Sequence, residues 1–105
     1  MITVTIYKEK GQYKGFRCEG HAGYAQAGYD IVCAAVSVLT LNTVNSIEAF
    51  TEDGFSGEEK DGFVSCTLTG EVSEATQLLM DSMVLGLTDI QENYDKYMQL
   101  RFKEV

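Results

Sequence analysis

The sequence GHAGYAQAGYDIVCAAVS, residues 20–37, contains the single histidine of the chain, His21, and one of its three cysteines, Cys33. A glycine-containing segment separates the two, and after Asp30 the sequence becomes strongly apolar. A thiol beside an imidazole base is the arrangement that nucleophilic catalysis by cysteine requires. Because the chain has no second imidazole, any Cys–His site must include this stretch.

Asp30 marks the start of a predicted helix over residues 31 to about 50. Asp is a favoured N-cap, because its carboxylate accepts hydrogen bonds from the N–H groups two or three residues further on. With Asp30 as N-cap, Cys33 occupies the third helical position, where the positive end of the helix dipole favours a thiolate. Ser37 follows one turn later on the same face of the helix.

Three features of this stretch closely resemble the signature of the Prp family. They are the motif GHA at residues 20–22, the loop glycine Gly28 and the run DIVCAAVS at residues 30–37. This is the family of ribosomal-processing cysteine proteases. The resemblance covers essentially the whole chain, and its motif is specific because several residue types recur at fixed spacing.

The resemblance implies that His21 and Cys33 are the catalytic residues and that Gly20, Asp30 and Ser37 support them. It implies an endopeptidase that removes an N-terminal extension from a large-subunit ribosomal protein, number twenty-seven. It further implies a homodimer and recognition of a peptide stretch that contains aromatic residues before the cut.

Residues 22–29 form a predicted loop between the two candidate catalytic residues. Its glycines accommodate unusual backbone angles, and we expect it to have few apolar anchors. Loops in such positions often bind substrate, so we assign substrate contacts to Gly23, Tyr24, Gly28 and Tyr29. The alternative is an ordinary surface connection.

In the expected reaction Cys33 attacks the scissile carbonyl, and His21 acts as base and then protonates the leaving amine. We expect the N–H groups of Cys33 and Ala34, at the helix start, to hold the oxyanion. Asp30 caps the helix, orients His21, or does both; the sequence leaves this open.

The composition is that of one globular domain over residues 1–105. The net charge of −8 argues against direct binding of nucleic acid and suits a basic protein substrate, although solubility alone explains it equally well. No apolar run approaches the ~20 residues of a membrane helix, and no basic segment precedes an apolar one at the N-terminus. We therefore expect a cytoplasmic protein without membrane contact.

Two other functions compete with proteolysis. The pair Cys18-x-x-His21 has half of the ligand spacing of a zinc site, and Cys33 could add a third ligand. The sequence has no second closely spaced pair, so we expect neither a metal nor another cofactor. The second alternative is a non-enzymatic accessory module that binds basic ribosomal proteins through its acidic surface. His21 and Cys33 would then be structural.

The hydrophobic periodicity predicts the order ββαββαβ, an α/β (α+β) fold with one mixed or mainly antiparallel sheet and two long helices packed on one face. Asp61-Gly62 is a strong hairpin signal, and Cys66 is predicted to lie in the core. The predicted strands cover residues 2–7, 13–19, 55–60, 63–69 and 97–103; the predicted helices cover 31–50 and 72–93.

Two apolar stripes are expected on the helices. The first helix is apolar around much of its circumference, so we expect cover on two sides, by the sheet and by another helix or a second subunit. Its expected stripe comprises Ala34, Val38, Leu41 and Asn45, and Ala35, Leu39 and Thr43 are expected near it. The expected stripe of the second helix comprises Val72, Ala75, Leu78, Leu79, Met83 and Gly86.

Overall fold

The computed structural model describes residues 1–26 and 28–105 and contains the predicted elements in the predicted order. The strands are β1 (Ile2–Glu9), β2 (Gln12–Glu19), β3 (Gly54–Lys60), β4 (Phe63–Thr69) and β5 (Met98–Glu104). The helices are α1 (Ile31–Phe50) and α2 (Glu74–Asn93). The predicted ββαββαβ fold is thus confirmed.

The five strands form one sheet in the order β3-β4-β2-β1-β5. β5 runs parallel to β1, and all other neighbours are antiparallel, so the sheet is mixed. Two hairpins, β1–β2 and β3–β4, are joined through the pairing of β2 with β4. This pairing places the end of β2 beside the turn between β3 and β4, which is where the candidate site lies.

Both helices pack on one face of the sheet. The buried side chains of that face include Ile6, Phe16 and Met98, and they meet Ile47 of α1 and Met80 of α2. Fully burying an Ile, Phe or Met side chain contributes about 1.5–3 kcal/mol relative to leaving it exposed. Cys66 is 1 % exposed in this core, as predicted.

The expected apolar stripe of α1 is wrong, although the helix does pack against both the sheet and α2. Val38 is 66 % exposed, and Ala34 and Asn45 are also exposed. Thr43, which was expected beside this stripe, is buried; the other residues that α1 buries are Val32, Val36, Thr40 and Ile47. Apolar residues surround the start of this helix, so periodicity alone did not distinguish its inner face.

The expected stripe of α2 is correct only in part. Met83 is buried as expected, but Ala75 and Leu78 are exposed. The residues buried along α2 are Thr76, Met80, Met83 and Leu87. The first turn is fixed by polar contacts, since Ser73 caps the helix and Thr76 bonds to Asp53.

Helix α1 has 20 residues and a mean hydropathy of 1.4, long and apolar enough to cross a membrane. This differs from the sequence-based expectation that no segment approaches such a length. Core helices pass the same test, and α1 contributes Val32, Val36 and Ile47 to the core. We therefore interpret α1 as a core helix.

Candidate active site

The end of β2 brings His21 to the turn between β3 and β4. Gly20 has φ +98°, and a Cβ at this position would lie 2.4 Å from the carbonyl oxygen of Met1. The Gly20 N–H donates to the carbonyl of Gly62 at 2.9 Å. Only glycine fits this left-handed, crowded position, so Gly20 supports the site by directing the chain toward the turn.

The first turn of α1 holds Cys33 beside the residue that follows His21. The predicted N-cap is observed: Oδ1 of Asp30 accepts from the N–H groups of Val32 at 3.0 Å and Cys33 at 2.9 Å. The N–H of Ala22 donates to Sγ of Cys33 at 3.3 Å. The candidate histidine and cysteine therefore lie at one place, joined through the backbone at Ala22.

Asp30 also fastens the loop to the helix. Its second oxygen, Oδ2, accepts from the N–H groups of Tyr24 at 3.0 Å and Ala25 at 3.4 Å. The hydrogen bond from the Cys33 N–H, followed by those from the loop and Val32, lowers the pKa of this carboxyl below its ordinary range. Within residues 1–26 and 28–105 Asp30 makes no hydrogen bond to His21, so Asp30 caps the helix and holds the loop.

The His21 ring lies on the turn formed by Asp61 and Gly62. Its Nε2 is 3.9 Å from Oδ2 of Asp61, and the two side chains are 65 % and 97 % exposed. Gly62 has φ +70°, and a Cβ there would lie 2.8 Å from Nε2 of His21. Among the described residues no hydrogen bond joins the ring to Cys33. The sequence indicated a hairpin at Asp61-Gly62 but gave no sign that the turn supports the histidine.

The expected oxyanion donors are already engaged. The Cys33 N–H donates to the Asp30 carboxylate, and the Ala34 N–H donates to the Asp30 carbonyl at 3.1 Å. A cap that is strong enough to fix the helix start also occupies its N–H groups. Both N–H groups therefore have acceptors in this conformation, and their expected role toward the oxyanion stays a prediction.

Two depressions flank the thiol, with volumes of about 380 and 490 Å³. His21, Cys33, Ser37 and Asp61 line both of them. The smaller depression lies between α1 and the β3–β4 hairpin; the larger lies between α1 and the loop. A cleft open on both sides of a nucleophile can accept an extended chain that runs past it.

The loop has more anchors than its sequence suggested. Ala22 is buried, and the Tyr24 ring packs edge-on against Tyr94 and Tyr97, with centroid distances of 5.7 and 5.1 Å. Ala27, within the same predicted loop, lies outside the described residues.

The four loop residues assigned to substrate binding separate into two groups. Gly23 and Gly28 line the larger depression. Tyr24 packs on the protein itself, and Tyr29 is exposed and is not among the lining residues. The assignment of substrate contacts to these four residues stays a prediction.

In the described part of the chain no three His, Cys, Asp or Glu side chains come together in a way that could hold a metal ion. Cys18 does line the same depression as His21 and Cys33.

Burial, followed by the neighbouring Cys33 and Glu19, raises the pKa of the Cys18 thiol to about 11. Burial raises the pKa of Cys66 to about 11 as well.

These thiols should differ in reactivity. A thiol with a pKa of about 11 is ionised in only roughly one molecule in 10⁴ at pH 7, and the thiolate is the reactive form. We expect iodoacetamide to alkylate Cys33 at least about tenfold faster than Cys18 or Cys66 in the folded protein. Peptide mapping after brief labelling measures this, and equal labelling of the three thiols would argue against an activated Cys33.

Comparison with known proteins identifies the family of the chain. Residues 1–99 match the family described as cysteine protease Prp. The chain is 28 % identical to the ribosomal processing cysteine protease Prp of Staphylococcus aureus over 98 % of this chain and 100 % of that protein. It is 32 % identical to the protein of that name from Bacillus subtilis, over 90 % of each.

A solved structure agrees with the sequence relationship. The crystal structure of an essential ribosomal processing protease Prp from S. aureus, in complex with a covalently linked product peptide, superposes with a TM-score of 0.92. The match has 29 % identity and covers 98 % of this chain and 100 % of that chain. The family predicted from residues 20–37 is confirmed, and the chain belongs to the cysteine protease Prp family.

Proposed function

We propose that this protease cuts an N-terminal extension from a basic ribosomal protein of the large subunit, number twenty-seven, with Cys33 and His21 as its catalytic pair. One contact supports the proposal above all others. The Ala22 N–H bonds to the Cys33 sulfur, so the only imidazole of the chain is attached to the backbone segment that touches the thiol.

The reaction is an acyl transfer to sulfur followed by hydrolysis. The thiol proton passes to the His21 imidazole as Sγ of Cys33 bonds to the scissile carbonyl carbon. The C–N bond then breaks, and His21 returns the proton to the leaving amine. Water, deprotonated by His21, releases the acyl group from the thioester and regenerates the thiol.

The His21 ring must turn before it can take part. In the structure it rests on the Asp61–Gly62 turn and is 65 % exposed. Catalytic hydrogen bonds in unliganded enzymes are often long and form fully only in the substrate complex. We infer that a bound peptide moves the ring from Asp61 toward Cys33.

Ala22 and Ser37 supply polar groups beside the reacting sulfur. The Ala22 N–H, 3.3 Å from Sγ, is a donor close to the position where the oxyanion forms, so we assign it a stabilising role toward the oxyanion. Ser37 lines both depressions, where its hydroxyl can bond to the substrate backbone.

We propose that the protease acts on a basic substrate in the cytoplasm, and the charge of the chain supports the basic character of the substrate. The net charge of −8 attracts a cationic protein and accelerates encounter at low salt. The S. aureus relative, for comparison, is described as a ribosomal processing protease and is seen with a product peptide.

Mass spectrometry of a candidate substrate tests the proposed function. The extended ribosomal protein is incubated with the protease, and its mass is measured before and after incubation. We expect the loss of one N-terminal fragment and an otherwise intact protein. An unchanged mass, or cutting at many positions, would contradict the proposal.

We also propose that the protease is a homodimer, with the helical layer as its interface. Ile31 and Val38 of α1 and Leu78 and Leu85 of α2 are each more than half exposed. Large exposed apolar side chains that share a surface commonly mark an interface with another protein.

The dimer is tested at the centre of this layer. We expect the double variant Val38→Glu/Leu85→Glu to be monomeric by light scattering, because two carboxylates would have to lose their hydration in the interface. Phe102→Glu is the control, since Phe102 is an exposed apolar residue of the edge strand β5. A monomeric wild-type protein would overturn the homodimer.

A further inference from the structure

The cleft at Cys33 continues along α1 as a longer groove. The smaller depression shares Leu41, Glu59 and Val64 with a further depression of about 230 Å³. Phe55 and Gly57 of β3 line its outer end. We name this continuous feature the α1–β3 groove; it begins at Cys33 and passes between α1 and the β3–β4 hairpin.

Helix geometry gives the length of the groove in substrate residues. Leu41 lies eight positions after Cys33, so it is roughly 12 Å further along the helix at about 1.5 Å per residue. An extended peptide advances about 3.3 Å per residue. A substrate in the α1–β3 groove therefore reaches the level of Leu41 and Glu59 roughly four residues from the scissile bond.

Two acidic residues of β3 line this groove, and they differ in their ion pairs. Glu59 pairs with Val64, which pairs with Cys18, and both partners line the cleft. Glu58 lines the outer end, but its carboxylate already binds Nζ of Lys60 at 3.3 Å. Lys60 also lies over the ring of Phe63, at 5.1 Å from Nζ to the ring centroid.

Glu59 has no partner for its charge among the described residues. Its carboxylate forms no ion pair and no hydrogen bond within residues 1–26 and 28–105, and the α1 residues across the groove are the uncharged Ser37, Leu41 and Asn45. A carboxylate that a bound chain covers is favourable only if the chain supplies a cation or donors. The unpaired carboxylate of Glu59 is therefore complementary to a basic side chain.

We propose that Glu59 is a specificity-determining residue that selects substrates with Lys or Arg three to five residues from the scissile bond, on the side that occupies the α1–β3 groove. This inference rests on the proposed protease function and adds the charge of one substrate position. It places substrate selection on β3, away from the Cys33–His21 pair.

The test is a charge scan of a peptide that the protease cuts. Lys, Gln and Glu are placed in turn at each of the positions two to six residues from the cut, on both sides, and kcat/KM is measured. We expect the wild-type enzyme to prefer Lys over Glu by roughly tenfold or more at a position three to five residues away on one side. Glu59→Gln should reduce that ratio to below about threefold, and Glu59→Lys should invert it.

Glu71→Gln is the control, because it removes the same charge from an exposed residue that lines neither depression of the groove. It should leave the Lys/Glu ratio unchanged. A wild-type enzyme without charge preference at any scanned position would overturn the proposal, as would a ratio that Glu59→Gln does not reduce. If the proposed protease function itself is wrong, the result is distinguishable, because the parent peptide would then not be cut at all.

Discussion

Cys33→Ala is expected to abolish cleavage of the extended ribosomal protein, with kcat/KM lower by about 10⁴-fold or more. Cys18, which lines the same depression, is a poor replacement for the lost nucleophile, because burial raises its pKa to about 11. Cleavage by each variant is measured beside its melting temperature. A Cys33→Ala variant that cuts normally would refute the catalytic assignment.

Cys33→Ser and His21→Ala should be similarly inactive. A hydroxyl stays protonated without a much stronger base, and a thiol without its base delivers no proton to the leaving amine. Cys33→Ser should still bind the substrate, so it is the variant with which to trap a complex. Both sites lie outside the core, because Cys33 is half-buried and His21 is exposed, so we expect little change in melting temperature.

Cys66→Ala is the control for the loss of a thiol as such. Cys66 is fully buried in β4, and removing a small buried group lowers the free energy of unfolding by about 1–2 kcal/mol. The Cys66→Ala variant should retain its protease activity. If activity follows melting temperature across all three positions, His21 and Cys33 are structural, and the non-enzymatic accessory module becomes the better interpretation.

Local sequence signals were sufficient to predict the helices and strands of the fold. Asp30 defined the start of α1 through its capping chemistry, and Asp61-Gly62 defined the β3–β4 turn. Alternating apolar residues such as Ile2, Val4 and Ile6 defined β1. Each signal acts over a few residues, which is the range that periodicity and capping describe.

Contacts between distant segments were not predictable in the same way. The support of His21 by Gly62 joins residues that are 41 positions apart and depends on the pairing of β2 with β4. The packing of Tyr24 on Tyr97 likewise requires the tertiary fold. The buried face of α1 was ambiguous because Ile31 and Val38, which are exposed, are as apolar as the buried Val32 and Val36.

Asp30 illustrates both cases, since its cap was predictable and its bonds to the loop were not. Asp30→Ala removes the acceptor for the N–H groups of Cys33 and Val32 and also for those of Tyr24 and Ala25. The helix start and the loop then lose their common anchor. Misplacement of a nucleophile by about 1 Å can reduce the rate by about 100-fold, and we expect a loss of kcat/KM of that order together with a lower melting temperature.

Asp30→Asn separates the two roles. Asn remains a good N-cap through its single amide oxygen, but its NH₂ group cannot accept from the Tyr24 and Ala25 N–H groups. We expect a melting temperature between those of wild type and Asp30→Ala, with kcat/KM clearly reduced. The matched control is Asp53→Asn: Asp53 accepts from the Ser73 backbone and hydroxyl and from Thr76 at the start of α2, outside both depressions beside Cys33. It should lower stability and leave the activity of the folded enzyme unchanged.

The pH dependence of stability gives an independent measurement of the Asp30 anchor. Hydrogen bonds to the charged form lower the pKa of Asp30 in the folded state, so the folded protein binds fewer protons at this site than the unfolded chain. The stabilisation is fully present above the unfolded pKa of about 3.9 and is lost as the pH falls through the lower folded value. The difference in melting temperature between wild type and Asp30→Asn should therefore be constant near neutral pH and shrink below about pH 4. A difference that stays constant throughout the acid range would show that the charge of Asp30 does not hold the helix start and the loop.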